Sequence, residues 1–158
     1  MSETANWAKN WDVASEHVHQ LPVTVLPADT DEMGHTNNVV YLGWLERVAW
    51  SHSHALGMNM ERYRALDAGC VVRRHELDYL APTFVGEELL LGTWVIDNDQ
   101  RITMWRGYQI IRPSDGKTMM RARSLWVCVD MKRGRPRRQP PEFLAVYKPV
   151  RDGNAPAY

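Results

Sequence analysis

Residues 28–46, ADTDEMGHTNNVVYLGWLE, join a cluster of polar side chains directly to the start of an apolar segment. From residue 38 to residue 56, apolar side chains recur at three- and four-residue spacing, which places them on one face of an α-helix. The residues on or near this face are Tyr41, Leu45, Val48, His52 and Leu56. Gly57 follows as a typical helix stop, because glycine readily adopts the left-handed conformation in which helices end. The pattern predicts one long helix over residues 38–56 with one buried face.

Most of the remaining chain shows the two-residue alternation of β-strands. Residues 17–26 predict one strand before the helix, and residues 58–69 predict a second, shorter helix closed by Gly69. Four alternating runs follow, joined in part by the turn sequences NDQ and PSDGK: CVVRRHELDYL, EELLLGTWVID, RITMWRGYQIIR and TMMRARSLWVCVDM. They predict four consecutive strands in meander order. One long helix and a set of antiparallel strands indicate an α+β fold in which the helix packs against one sheet.

Length and composition limit the classes of protein. A chain of 158 residues suits one domain, predicted over residues 16–145 between tails at 1–15 and 146–158. Zero net charge and 44% hydrophobic residues argue against disorder and against a nucleic-acid binder that relies on bulk charge. No apolar run reaches the roughly 18 residues of a membrane span, and the N-terminus lacks the features of a secretory signal, so we expect a cytoplasmic protein. Cys70 and Cys128 lie far apart in strand-like runs, which predicts two buried, reduced thiols.

The polar cluster before the helix has two interpretations that involve no catalysis. As a helix cap, Asn37 or Asn38 accepts hydrogen bonds from first-turn amides, which accounts for only part of the cluster. As a calcium loop, DTDEMG begins correctly, but Met33 occupies the fifth position and Val40 the twelfth, where oxygen ligands are required. Calcium binding is therefore not expected.

The third interpretation is a catalytic loop, in which a carboxylate lies beside the unpaired backbone N–H groups of a helix N-terminus. Asp31 is the candidate base or nucleophile, and the first-turn amide near Asn38 polarises a carbonyl as its oxygen gains charge. Gly34 lets the backbone turn sharply and lets a ligand approach closely. This pairing suits acyl transfer or hydrolysis.

The same stretch resembles the signature of a known enzyme family. Residues 29–41 follow the pattern D-x-D-x-x-G-H-x-N-N-x-x-Y of hot-dog-fold thioesterases. RRHELDYLAPTFVGEEL is similar to the second-strand segment of the 4-hydroxybenzoyl-CoA thioesterase-like acyl-CoA thioesterases, and LWVCVDMKRGRPRRQP resembles their last strand and its exit. The resemblance covers residues 17–143. It implies a hot-dog fold, with one long central helix packed against an antiparallel sheet, and hydrolysis of an acyl-CoA thioester to free acid and CoA.

The resemblance also implies roles for individual residues. Asp31 is the catalytic carboxylate, as a nucleophile or as a general base on water, and the backbone amide of Asn38 is the oxyanion donor. Asp29 orders the loop. Glu46 on the helix is the alternative carboxylate, because another hot-dog branch uses a helix glutamate; otherwise it pairs with an arginine. The expected substrate-binding positions are Gly34, His35, Asn37 and Tyr41. No metal and no cofactor are implied, apart from coenzyme A as part of the substrate.

A basic run, KRGRPRR at residues 132–138, has two main interpretations. It is a solvated tail, or its arginines contact the phosphates of coenzyme A, for which guanidinium groups are well suited. The arginines concerned are Arg133, Arg135, Arg137 and Arg138. RNA binding is a weaker third option, because aromatic residues are not interleaved and the chain has no net positive charge.

The resemblance implies an obligate homodimer, or a tetramer of such dimers, with the active site at the subunit boundary. Two alternatives for the function stay open. One is hydrolysis of acyl groups on acyl carrier protein, an acidic partner that the basic run would also suit. The other is a non-catalytic acyl-binding or assembly module, against which the presence of Asp31 argues. The motifs do not identify the acyl group.

The histidines have weaker support as functional residues. His17 and His19 would share one face of the first strand, but no third ligand is spaced to join them, so two exposed strand histidines are expected. His52 and His54 point to different faces of the helix, which argues against a shared site.

Serine catalysis and a tryptophan-lined tunnel are likewise alternatives with little support. The candidate serines lack the G-x-S-x-G elbow of serine hydrolases: Ser51, Ser53 and Ser124. Three tryptophans could line an acyl tunnel, although packing in the core or a dimer is the favoured interpretation: Trp44, Trp50 and Trp105.

Overall fold

The computed structural model describes residues 7–150 and contains a five-stranded antiparallel sheet with one long helix packed on it. The strands are β1 His19–Thr24, β2 Gly69–Tyr79, β3 Glu88–Asn98, β4 Thr103–Arg112 and β5 Lys117–Val129. The helices are α1 Asn38–Ala55, α2 Met60–Leu66 and α3 Pro141–Val146. Across the sheet the strand order is β1-β3-β4-β5-β2. The predicted α+β fold, a long helix against one antiparallel sheet, is confirmed.

Helix α1 lies on the sheet because its apolar positions share the face that the strands cover. Tyr41, Leu45 and Val48 are buried and belong to one core cluster with Leu91 of β3 and Ile110 of β4. Removal of this apolar surface from water is the main force that holds the helix in place. The helix ends at Ala55, one residue before its predicted end.

The predicted four-strand meander is wrong for β2. This strand pairs with β5, from Gly69 opposite Val129 to Tyr79 opposite Met120, while β3, β4 and β5 follow one another as neighbours. Residues 80–87 therefore carry the chain from the edge of the sheet to the strand beside β1. Alternation along a strand shows which side chains face the core, but it does not show which strand lies next to it.

The first strand is shorter than predicted, and only one of the two histidines belongs to it. His17 belongs to a 3-10 turn, Ser15–His17, whereas β1 begins at His19. His19 points towards α1, where its Nε2 lies 2.8 Å from Ser51 Oγ and its ring stacks on His52 at 5.0 Å between centroids. The expectation of two exposed strand histidines is therefore wrong.

Residues on both sides of the predicted domain contribute to the core. Trp11 and Val13 are buried in a cluster with Trp94 on the face of the sheet opposite α1. After β5, Phe143 and Tyr147 are buried in a cluster that includes residues of α2. The packed unit therefore extends beyond residues 16–145 in both directions.

Both cysteines are free thiols, with Cys128 buried and Cys70 half-buried. No helix within residues 7–150 is long and apolar enough to cross a bilayer.

Candidate active site

Backbone hydrogen bonds hold the two ends of the polar loop together at the start of α1. Thr30 and Thr36 form an isolated antiparallel bridge, and the N–H of Asn37 donates to Asp29 O at 2.8 Å. The Asp29 carboxylate accepts a hydrogen bond from the N–H of Leu26 at 2.9 Å. Asp29 thus orders the loop, as predicted.

The Asp31 carboxylate lies on the exposed loop, with one oxygen bound and the other free. Oδ1 accepts hydrogen bonds from the N–H groups of Met33 and His35, at 2.9 and 3.3 Å. Oδ2 accepts none from residues 7–150. Gly34 closes the turn with a φ of 79°, in the left-handed region, and its N–H donates to Asp31 O. A carboxylate oriented in this way can attack a carbonyl carbon or accept a proton through its free oxygen.

Helix α1 begins with an unpaired backbone N–H next to this loop. Asn37 is the N-cap residue, and its Oδ1 accepts from the N–H of Val39 at 3.2 Å, which confirms the predicted cap. The N–H of Asn38, the first helical residue, donates no hydrogen bond within the described part of the chain. Because a helix N-terminus carries partial positive charge, this donor can stabilise an oxygen that becomes negative.

Thr83, which no sequence pattern singled out, ties the loop to the helix. Its carbonyl accepts from the N–H of Thr36 at 2.9 Å, and its Oγ1 lies 2.6 Å from Thr36 Oγ1 and 2.8 Å from the Tyr41 hydroxyl. Tyr41, predicted to bind substrate, is only 3% exposed, and its hydroxyl is used within this buried cluster. Thr83 lies on the connection between β2 and β3, so only the tertiary fold brings it here.

Exposed apolar side chains surround the loop. Met33 and Phe84 are both exposed, and the His35 ring packs edge-on against Phe84 with 5.2 Å between centroids. The Tyr79 hydroxyl donates to Asn38 O at 3.1 Å, which joins the end of β2 to the first turn of α1. These two contacts tie the loop and the start of α1 to the end of β2 and to the connection that follows it.

Glu46, the alternative carboxylate, lies about 12 Å along α1 from Asn38. It is exposed and lines an open groove together with Leu21, Trp50 and Ser51. Within residues 7–150 it forms no ion pair, so the expected pairing with an arginine is wrong. The structure does not bring Glu46 into the Asp31 loop.

The basic run lies at the opposite end of β2 from the Asp31 loop. Pro136 bridges to Val129, which pairs with Gly69 at the start of β2, whereas Tyr79 at the end of β2 contacts α1. β2 has 11 residues, so its two ends are roughly 33 Å apart. Within one chain, the arginines of this run are therefore not beside Asp31.

Arg137 differs from the other arginines of the basic run. Its Nη1 donates to the carbonyls of Leu66 and Asp67 at 3.3 and 3.2 Å, where α2 ends. It therefore satisfies carbonyl groups that a helix C-terminus leaves unpaired. The other three arginines are exposed: Arg133, Arg135 and Arg138.

Similarity to known proteins identifies the family. Residues 25–146 match the thioesterase-like superfamily, which is well over half of the chain. The chain belongs to the thioesterase-like superfamily. The predicted enzyme class, a thioester hydrolase, and the resemblance read from residues 29–41 are thereby confirmed.

Relatives of this thioesterase-like protein agree in sequence and in fold. The Bacillus subtilis (strain 168) protein named "Putative acyl-CoA thioesterase YneP" is 28% identical over 138 residues, which cover 84% of this chain and 96% of that protein. A 1,4-dihydroxy-2-naphthoyl-CoA thioesterase from Synechocystis superposes with a TM-score of 0.74 at 17% identity, over 82% of this chain and 95% of that chain. SAV2348 from Staphylococcus aureus, solved in complex with CoA, superposes with a TM-score of 0.76 at 14% identity, over 84% of this chain and 87% of that chain. The predicted hot-dog fold is confirmed.

Of the tryptophans considered above, Trp44 and Trp105 are used in packing. Trp44 is buried and meets the Tyr41 ring at 5.2 Å between centroids, as expected for a core residue. Trp105 lies under the Arg123 guanidinium, 4.6 Å from its carbon to the ring centroid. Trp50 lines a small cavity between α1 and the sheet.

The histidines of α1 have different surroundings, as predicted. His54 is exposed and lies beside the Trp50 ring, whereas His52 contacts His19 and Arg106. Within residues 7–150, no group of three or more His, Cys, Asp or Glu side chains is arranged to hold a metal ion.

Proposed function

We propose that this protein hydrolyses an acyl-CoA thioester to the free acid and CoA, with Asp31 as the catalytic carboxylate. The observation that carries the proposal is the presence, at one loop, of a free carboxylate oxygen of Asp31 and the unpaired N–H of Asn38. The family supplies the reaction class, and the name of the B. subtilis relative supports CoA as the carrier of the acyl group.

In the proposed reaction the thioester carbonyl binds between these two groups. Asp31 Oδ2 attacks the carbonyl carbon, or it takes a proton from the water that does so. In both routes the carbonyl oxygen becomes negative beside the Asn38 N–H, and one such donor is typically worth about 2.7–4 kcal/mol. Collapse of the tetrahedral species expels the CoA thiolate, which takes up a proton. In the first route, water then hydrolyses the mixed anhydride and restores the Asp31 carboxylate.

The test is release of free CoA thiol from a panel of acyl-CoAs that differ in chain length and in aromatic or aliphatic character. We expect at least one of them to be hydrolysed with kcat/KM of about 10⁴ M⁻¹s⁻¹ or more. The same acyl groups on acyl carrier protein serve as the control and should react more slowly. Turnover of the carrier-protein substrates alone would contradict the assignment to CoA.

We also propose that two copies of the chain pair through β2. This strand forms one edge of the sheet, and Val71 and Val72 expose their side chains there. A long edge strand with exposed apolar residues presents unpaired backbone groups to another strand, and a two-fold axis lets the same edge serve both copies.

Pairing through β2 would also complete the site. A two-fold axis perpendicular to the sheet makes the joined strands antiparallel, so the start of the partner's β2 lies beside the end of this one. The partner's basic run then lies near this chain's Asp31 loop. This geometry supports the assignment of Arg133, Arg135 and Arg138 to the phosphates of CoA, which each chain would supply to the other.

Val72→Lys should convert the dimer into a monomer, because each copy would place a charged side chain in the joined edge where an apolar one packs. Analytical ultracentrifugation measures the mass, and kcat/KM measured on the same samples should fall together with dimer content. Ile102→Lys is the matched control, since Ile102 is 38% exposed against 42% for Val72 but lies in the β3–β4 turn. A wild-type protein that is monomeric and fully active would contradict the proposal.

A further inference from the structure

Arg106 places a positive charge in the core of the domain. It lies on β4, faces α1, and is only 2% exposed. Within residues 7–150, no carboxylate is in ion-pair contact with it. Charged groups that are buried in proteins are almost always paired or bound to a ligand, because transfer out of water strongly disfavours an isolated ion.

The groups that touch Arg106 are neutral. Its Nη1 donates to His52 Nδ1 at 2.8 Å and to Thr93 Oγ1 at 3.2 Å. Burial and the Arg106 charge lower the pKa of His52 to about 3, so this ring is an uncharged acceptor at neutral pH. Burial also raises the pKa of the nearby Cys70 thiol to about 12, which leaves it protonated. The side chains around Arg106 therefore supply no anion.

A cavity of about 30 Å³ lies next to Arg106. Its walls include Ala49, Trp50 and Met104, which are apolar, and Trp126, whose buried Nε1 makes no hydrogen bond of normal geometry within residues 7–150. A space of this size holds about two water-sized groups. The two oxygens of one carboxylate match this space in size, in charge, and in their need for hydrogen-bond donors.

A cluster of three hydroxyl groups adds a further donor to the cavity wall. The Tyr147 hydroxyl lies 2.8 Å from Ser53 Oγ and 2.5 Å from the Tyr63 hydroxyl, and all three residues line the cavity. Two hydrogen bonds use two of the three hydroxyl protons, so one proton remains for another acceptor. The cavity thus combines a guanidinium, an indole N–H and a hydroxyl donor with no negative charge.

We propose that this cavity is a binding site for a carboxylate group, held by the Arg106 guanidinium and the Trp126 N–H. The site is separate from the Asp31 loop, since Ala49 lies about 16 Å along α1 from Asn38. Two sources of the carboxylate are possible chemically: a small free carboxylic acid, or the far end of an acyl group that carries a second carboxylate. Trp50 lines both this cavity and the outer groove of α1.

The binding test uses formate as the probe and measures Tm at constant ionic strength. Formate at about ten times its dissociation constant should raise the Tm of the wild type by about 3–6 °C. Pivalate carries the same charge but is too bulky for the cavity, so it should produce no saturable shift. Arg106→Gln should abolish the formate shift, whereas Arg47→Gln, which removes an exposed arginine of α1, should retain it.

A second measurement needs no variant, in case Arg106→Gln does not fold. Because Trp50 and Trp126 line the cavity, formate should change the intrinsic tryptophan fluorescence of the wild type saturably, and pivalate should not. Equal responses to formate and pivalate would overturn the proposal, as would a full formate shift in a folded Arg106→Gln variant.

A third experiment identifies the source of the carboxylate. It rests on the proposed acyl-CoA hydrolysis. It compares two acyl-CoAs of equal length, one ending in a carboxylate and one in a methyl group, each long enough to span about 16 Å. A lower KM for the acid-ended chain, lost in Arg106→Gln, assigns the site to the substrate. Equal KM values together with the formate shift assign it to a free acid. If neither acyl-CoA is hydrolysed, this result counts against the proposed acyl-CoA hydrolysis. The formate measurements still show whether the cavity binds a carboxylate.

Discussion

Replacement of Asp31 by asparagine is expected to lower kcat for thioester hydrolysis by about a hundred- to ten-thousandfold. The amide cannot act as a nucleophile that forms an anhydride, and it is far too weak a base to take a proton from water. Asparagine still offers an Oδ1 that can accept from the N–H groups of Met33 and His35, so the loop should keep its shape. Thiol release under substrate saturation measures the effect.

The Tm of the Asp31→Asn variant is the control, because it shows whether the variant is still folded. Since Asp31 is exposed and the hydrogen-bond acceptor is conserved, the Tm should stay within about 2 °C of the wild type. A variant that loses activity together with many degrees of Tm would have lost its fold, and the kinetic result would then not bear on catalysis. A stable Asp31→Asn variant with unchanged kcat would contradict the assigned role.

Phe143→Ala is expected to lower the free energy of unfolding by about 3–5 kcal/mol, the usual cost of removing a buried aromatic ring. Phe143 is 0% exposed and packs with Tyr63 and Tyr147, at 5.4 and 5.6 Å between ring centroids. For a domain of this size the Tm should fall by about 6–20 °C, which calorimetry or urea unfolding measures.

The chain offers a matched control for Phe143→Ala. Phe84 is the other phenylalanine of the sequence and is 42% exposed, so Phe84→Ala should cost about 1 kcal/mol or less. Equal losses in the two variants would show that the segment after β5 does not form part of the core.

Features of the site that depend on local sequence could be predicted, because their partners are close in the chain. Asn37 caps the helix that it precedes, and Asp29 binds Leu26 N–H, three residues away. The length of α1 follows from helical spacing and Gly57. In each case the interaction spans a few residues, so the pattern contains both partners.

Features that depend on tertiary contacts could not be predicted from the same patterns. The pairing of β2 with β5 joins residues about 40 to 60 positions apart, and the chain between them shows no sign of it. The hydrogen bond between Thr83 and Thr36 joins residues 47 positions apart, and the hydrogen bond between Arg106 and His52 joins residues 54 positions apart. A threonine in a connection and an arginine in an alternating strand look like ordinary surface residues until the fold is known.

Some residues of both predicted tails, 1–15 and 146–158, are buried, for a related reason. Trp11 and Val13 lie in a polar, aperiodic segment, and they are buried because the sheet offers them an apolar face. Tyr147 follows a proline-rich, basic stretch and lies beyond the predicted domain end at residue 145, yet it is buried against Phe143. Single apolar anchors of this kind produce no periodicity, so composition alone assigned them to the surface.

Whether Asp31 is the catalytic carboxylate is tested most directly by comparing Asp31→Asn with Glu46→Gln on the acyl-CoA that the wild type hydrolyses best. Thiol release by the two variants is measured side by side under the same conditions. We predict near-complete loss of hydrolysis in Asp31→Asn and activity close to wild type in Glu46→Gln. Hydrolysis that survives in Asp31→Asn but is lost in Glu46→Gln would contradict this prediction and move the chemistry from the loop to the helix.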